Sequence, residues 1–200
     1  KDVIERIEKL CQTYADTLHD MMLYRIALQD QALWVRPSLV NDYEKALQSN
    51  KQKNIEAAKA AIVAYCQNNI KNVNMAIDCG KVKLLTPYFL QGRKLKDLQP
   101  AYLNGKQKVE AVIDNIYQHT VFADSAKLAD ALAKNDAQIL KNDPLYLQTT
   151  DLVAYQEKLA KTLQAYNAQR KELDKIYVRG LCEMYDWAKA PDANFTLRMT

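Results

Sequence analysis

Apolar residues recur in steps of three and four from the start of the chain: Val3, Ile7, Leu10, Tyr14, Met21, Tyr24 and Leu28, interrupted only by Thr17. That spacing predicts a helix of about 30 residues, ended or kinked where Pro37 constrains Arg36 and withdraws a backbone donor. Val40, Tyr43 and Leu47 mark a short second helix. Ile55, Ala58, Ile62, Tyr65, Val73 and Ile77 carry the next pattern to Gly80, which has the position and chemistry of a helix-terminating glycine. Residues 81–105 lose this regularity, with Pro87, Gly92, Pro100 and Asn104-Gly105 punctuating the chain, and read as a connector holding one short helix.

Pattern resumes at Val109, Val112, Ile113, Ile116 and Tyr117. Ser125 has the chemistry of an N-cap for a short helix over residues 127–134. Asp143-Pro144 is a start signal, because the carboxylate satisfies free N–H groups and proline presets φ in the first turn. After it Leu152, Leu159, Tyr166, Leu173, Gly180 and Trp187 fall seven apart, with Leu163, Tyr177 and Met184 on the adjoining position. A helix over residues 144–189 spans about 65 to 70 Å. Gly180 inside it costs about 1 kcal/mol relative to alanine, which predicts a close helix contact or a bend. Sustained period-two alternation is missing, so the expected fold is all-α, a bundle of long antiparallel helices with an extended C-terminal tail.

Composition narrows the chemistry. The chain has 28 basic and 24 acidic residues, a net charge of +4 and 48% hydrophobic residues, but only 4 glycines. Average usage would supply about 14, and this shortage argues against doubly wound, Rossmann and sandwich folds, which use glycine for turns and close approaches. The longest uncharged apolar run, residues 60–66, falls far short of the ~18 residues that cross a bilayer. Two histidines and the scattered Cys11, Cys66, Cys79 and Cys182 assemble no recognised zinc spacing, and no cofactor is implied. The even cysteine count permits disulfides without demanding any. Beginning at Lys1 without the layout of a secretory signal, the sequence reads as an excised or processed piece.

Candidate chemistry is sparse. Asp16, His19 and Asp20 put a carboxylate and an imidazole on one helix face, but a metal needs a further ligand that only His119 could bring. Ser38, Ser49 and Ser125 sit in turn or cap contexts, outside any nucleophile motif. The pairs Glu5/Glu8 and Asp124/Asp130 read as solvated helix faces. Residues 81–108 hold Lys81, Lys83, Arg93, Lys94, Lys96, Lys106 and Lys108 against Asp97, seven cations to one anion, with Tyr88, Phe89 and Tyr102 among them. Such a strip can bind phosphates and stack on bases. It carries no helix-turn-helix or RNA-binding signature, so it reads as a solvated connector with no nucleic-acid partner.

The final 80 residues add a resemblance. VFADSAKLADALAKNDAQILKNDPLYLQTTDLVAYQEKL at 121–159 and YVRGLCEMYDWAKAPDANFTLRMT at 177–200 resemble the bacterial exo-acting serine dipeptidyl-peptidases of peptidase family forty-six, the dipeptidyl-peptidase seven and eleven type. The most specific piece is Pro191, Asp192, Ala193, Asn194, Phe195, Thr196, Leu197 and Arg198, similar to that family's exit from its helical domain into the catalytic barrel. Asp143-Pro144 and the stretch Tyr177, Val178, Arg179, Gly180 and Leu181 support it at compatible spacing, whereas residues 1–120 share only helicity.

The resemblance implies a two-part enzyme: a chymotrypsin-like double β-barrel with a Ser-His-Asp triad, and a helical domain inserted as a cap over the cleft. The cap would leave room only for peptide substrates with a free N-terminus, so that dipeptides are released. Residues 1–190 would be the cap and 191–200 the exit towards the barrel, its partner. The family's catalytic histidine and aspartate, and the asparagine that holds the substrate amine, are expected before Lys1 and its serine after Thr200, so no catalytic residue is assigned here. The resemblance places the parent in the periplasm or at the cell surface and allows a homodimer. Pro191 ends the helix and Phe195, Thr196 and Leu197 favour an extended strand, and apart from the barrel the apolar residues of this tail are expected to pack weakly or against a neighbouring molecule. The alternative is a non-enzymatic helical interaction module, and a third reading is anion or nucleic-acid binding by residues 81–108.

Overall fold

The computed structural model describes residues 2–105 and 107–184. Every regular element among them is helical: α1 (Asp2–Thr13), α2 (Ala15–Tyr24), α3 (Pro37–Gln48), α4 (Gln52–Asn69), α5 (Met75–Gly92), α6 (Val109–His119), α7 (Ser125–Ala133), α8 (Ala137–Lys141), α9 (Pro144–Thr162) and α10 (Gln164–Met184), with a π turn at Arg25–Gln29 and a 3-10 turn at Ala101–Leu103. The chain is all-α. It divides into two compact units, Asp16–Ala160 and a second built from Lys1–Ala15 with Lys161–Thr200.

The two long helices expected from the heptads are shorter than their pattern. The first is interrupted at Tyr14 and closes in the π turn at Gln29, well before Arg36. Arg36 is instead the extended N-cap of α3 and Pro37 its first residue, where a missing N–H costs nothing. The last helix is interrupted at Leu163, so the 144–189 rod is two helices, α9 of 19 residues and α10 of 21 as far as it is described.

Two punctuators mislead. Gly80 lies inside α5 without a positive φ, and beyond its chain neighbours and the helix's own adjoining backbone no described atom comes within 4 Å of the Cβ an alanine would place there. The break falls earlier, where Ile70 caps α4 and the Asn74 side chain accepts the N–H of Ile77 at 3.1 Å to start α5. Pro87 also lies inside α5. It has no N–H for the carbonyl of Lys83, but Val82, Thr86 and Phe89 on the same helix are almost wholly buried, and their burial carries the helix through. Residues 81–92 are therefore helix, and only 93–105 is connector. Asparagine does the stopping that glycine was expected to do: Asn50 and Asn135, both at φ 51°, follow α3 and α7.

In the Asp16–Ala160 unit the largest core gathers Val40 and Tyr43 of α3, Ile55, Ile62 and Cys66 of α4, Ile116 of α6, Leu128 and Leu132 of α7, Leu140 of α8 and Leu145 of α9. A second knot joins α2, α5 and α9: Tyr155 meets Tyr24 at 5.5 Å between ring centroids and Phe89 edge-on at 5.7 Å, while Tyr24 donates its hydroxyl to Leu152 O at 3.2 Å. The smaller unit is a helix pair, in which α1 packs on α10 through Leu10 and Leu173 and through the Tyr14 and Tyr166 rings, 5.6 Å apart.

Irregular chain in the larger unit is held by aspartates. Asp20 of α2, wholly buried, accepts Lys94 N–H at 2.7 Å and Leu95 N–H at 2.8 Å. Asp78 of α5 accepts Ala32 N–H, Leu33 N–H and the Tyr117 hydroxyl at 2.9, 2.8 and 2.6 Å. Asp151 of α9 accepts Tyr102 N–H at 2.8 Å. Asp143 accepts the Thr120 hydroxyl, Val121 N–H and, as the expected cap of α9, Leu145 N–H. Burial pushes the Asp143 carboxyl up in spite of these bonds.

Candidate functional site

The candidate residues disperse into structural work. Asp20 is spent on the connector, while His19 places Nε2 3.1 Å from Gly92 O and His119 places Nδ1 3.1 Å from Asn115 O. Among the described residues no group of three or more His, Cys, Asp or Glu is placed to hold a metal ion. Ser49 donates to Ala46 O at 2.7 Å. Ser125 is not the cap of α7: Asp124, one residue earlier, accepts Ala126 N–H and Lys127 N–H, which hold its carboxyl below the usual range. Glu5, Glu8 and Asp130 are exposed. The four cysteines are free thiols, and burial pushes that of Cys66 up to about 11.

The basic strip is partly consumed. Lys81 reaches the carbonyl and carboxylate of Asp30 and lies 3.8 Å from Asp78. Lys83 pairs with Asp114. Arg93 folds over the connector, donating to Lys96 O at 2.9 Å and Leu98 O at 3.1 Å. Lys94, Lys96 and Lys108 point to solvent, Lys96 reaching back to Gln91 O at 3.2 Å.

The feature of the larger unit that its own packing leaves over is an apolar face. The α2 helix, continued by the π turn, runs antiparallel to α5, in a register fixed at both ends. His19 meets Gly92, Leu23 Cδ2 lies 3.1 Å from the Cβ that Gly92 lacks, and Asp30 meets Lys81. His19, Leu23, Ile26 and Asp30 share one stripe at steps of four, three and four, and Lys81, Leu84, Tyr88 and Gly92 answer it on α5. Met22 and Ile26 are thereby level with Tyr88 and Leu84. They stand 59%, 58%, 62% and 62% exposed, although each is a large apolar or aromatic side chain. Heptad reading did not find this face. It followed the buried stripe through Met21, Tyr24 and Leu28, and it took Leu84 and Tyr88 for connector. The signal was present in Met22 and Ile26, a second apolar pair four residues apart on the same helix.

In the smaller unit Arg170 of α10 holds Asp174 at 2.7 Å and approaches Cys11 Sγ at 3.7 Å. Gly180 meets nothing described within 4 Å, so the expected close contact is not found there. Tyr177, Val178 and Leu181 stand partly exposed on the same helix. The junction residues Pro191, Asp192, Ala193, Asn194, Phe195, Thr196, Leu197 and Arg198 lie outside the described residues, as does the expected extended tail.

Comparison with known proteins extends the likeness from the final 80 residues to the whole chain, since the family model Peptidase S46 matches residues 1–200. The chain belongs to peptidase family S46. It is 28% identical over 209 residues to "Dipeptidyl-peptidase 7" of Phocaeicola vulgatus, an alignment covering 99% of this chain and 28% of that relative. An "Asp/Glu-specific dipeptidyl-peptidase" of Porphyromonas gingivalis is 32% identical over 93 residues, 46% of this chain and 13% of the relative. This S46 chain thus spans under a third of the length of the curated relatives it matches. No helix among its described residues is long and apolar enough to cross a membrane.

Proposed function

We propose that this S46 chain is the helical cap domain of a serine-type dipeptidyl-peptidase, which restricts the cleft so that dipeptides leave from free peptide N-termini. The observation that carries the reading is the full-chain family match combined with the 28% span of the dipeptidyl-peptidase 7 relative. Bond cleavage then belongs to polypeptide outside these residues. The use of both histidines, of Asp20 and of Asp124 in backbone contacts supports a shaping role. Residues 191–200 lead back into the catalytic barrel, and the parent works in the periplasm or at the cell surface. The second reading, a non-enzymatic interaction module, is favoured by the exposed face of α2 and α5.

The test uses the full-length protein on one peptide presented with a free and with an acetylated N-terminus. The expected result is dipeptide release from the free form alone. Cleavage of both forms at similar rates removes the cap's role, and release by residues 1–200 alone, after contaminant controls, overturns the division of labour.

A further inference from the structure

The exposed face of α2 and α5 is not needed by the core beneath it. Met21, Tyr24, Ala27 and Leu28 on the α2 side and Val82 and Phe89 on the α5 side are already buried, while Met22, Ile26, Leu84 and Tyr88 stand outside them, each more than half exposed. Large apolar side chains this exposed, brought level on two neighbouring helices by their register, mark an interaction site.

We propose that Met22, Ile26, Leu84 and Tyr88 form a docking surface for the remainder of this protein's own polypeptide, which meets it with apolar side chains ringed by carboxylates. The inference rests on the reading that these 200 residues belong to a longer chain, and it adds where the rest of that chain seats. Two observations select the occupant. In the dipeptidyl-peptidase 7 relative about seven-tenths of the length lies outside the matched part, so covering polypeptide is at hand at high effective concentration. The rim carries a small positive excess: Arg25 beside Ile26, and Lys94 and Lys96 beyond Gly92, are exposed, against exposed Asp16 and Asp97 and an Asp30 already engaged by Lys81. A second copy docked face to face sets this positive excess against itself, whereas an acidic rim complements it.

Residue-resolved hydroxyl-radical footprinting of the full-length protein tests this, because thioether and phenol side chains react readily. Met22 and Tyr88 should oxidise at least about fivefold more slowly than in the same chain unfolded in urea, as side chains at the dry centre of an interface do. Rates within about twofold of the unfolded chain overturn the proposal. Protection that disappears when an oligomer is diluted to monomer gives the face to a second copy and also overturns it. The double variant Lys94→Glu, Lys96→Glu, at exposed positions, should raise oxidation of both reporters, and unchanged protection removes the acidic rim. Dipeptide release measured on the same sample separates the two readings. Release with Met22 and Tyr88 exposed sinks the docking surface alone, while protection without release sinks the enzymatic reading and supports docking.

Discussion

Asp20 and Lys94, 74 residues apart, are joined by a carboxylate-to-backbone hydrogen bond of 2.7 Å that, with its neighbour to Leu95, fixes the point where α5 gives way to the connector. Asp20→Ala orphans two backbone donors next to the Tyr24 and Tyr155 knot and should lower the stability of the larger unit by about 2 to 4 kcal/mol. Trypsin should then cut after Arg93, Lys94 or Lys96 well before global unfolding, and a variant whose connector resists cleavage as the parent does would refute the clip.

Asp143 should be costlier to remove than an ordinary helix cap. Its Oδ1 starts α9 through Leu145 N–H and also takes the Thr120 hydroxyl, while Oδ2 takes Val121 N–H at 2.7 Å, so one carboxylate ties α9 to the end of α6. Asp143→Ala should lose about 3 kcal/mol, against about 1 kcal/mol for a cap that serves its own helix alone. Urea midpoints of Asp143→Ala and Asp136→Ala, the latter a solvent-exposed cap whose carboxylate takes Gln138 N–H alone, make the comparison, and equal losses contradict the added role.

Glycine provides a test of where the helices really run. Gly80 and Gly180 both sit in helix interiors with open space around the missing Cβ. Gly80→Ala and Gly180→Ala should each gain about 0.5 to 1 kcal/mol by reducing the freedom of the unfolded chain. Gly92→Ala should not, because its Cβ would lie 3.1 Å from Leu23 Cδ2 at the α2 and α5 seam. Thermal midpoints of the three variants decide it, and a loss at Gly80 restores the helix end expected there.

The contrast between Gly80 and Asp143 shows what a sequence of this kind discloses. Asp143-Pro144 and the Pro37 start were legible because a cap and its first turn are local, decided by two or three neighbouring residues. Gly80 and Pro87 misled because burial of Val82, Thr86 and Phe89 outweighs a propensity penalty of a few kcal/mol. The heptad through Leu152 and Leu173 was real but concealed the interruption at Leu163, since a one-residue break barely disturbs a seven-residue period. Asp124 and Ser125 both carry a capping oxygen, and their order cannot be read without φ: Asp124, at −126°, is the extended one. Family membership was legible in the junction and the last helix. The exposed face was not, because it needs the register of α2 against α5.

Alkaline pH should open the larger unit through its buried phenols. Burial raises Tyr24 and Tyr155 from 10.0 to about 12, and raises Tyr102 and Tyr117 further still, the last with help from the Asp78 carboxylate beside it. Between pH 10 and 12 the unfolded chain releases these protons and the folded one keeps them. The stabilisation is therefore complete below pH 10 and lost as pH rises towards 12, by about 2 kcal/mol each for Tyr24 and Tyr155. Absorbance at 295 nm should show the exposed phenols ionising first and the buried group only together with loss of helical circular dichroism. Tyr24→Phe gives up the hydroxyl bond to Leu152 O, about 1 kcal/mol at neutral pH, but removes one of the protons that drives alkaline unfolding. Its stability deficit should accordingly shrink as pH rises from 10 to 12. A deficit constant across that range, or full tyrosine ionisation near pH 10 with the helices intact, would mean that water reaches these hydroxyls and that the knot between α2, α5 and α9 is open.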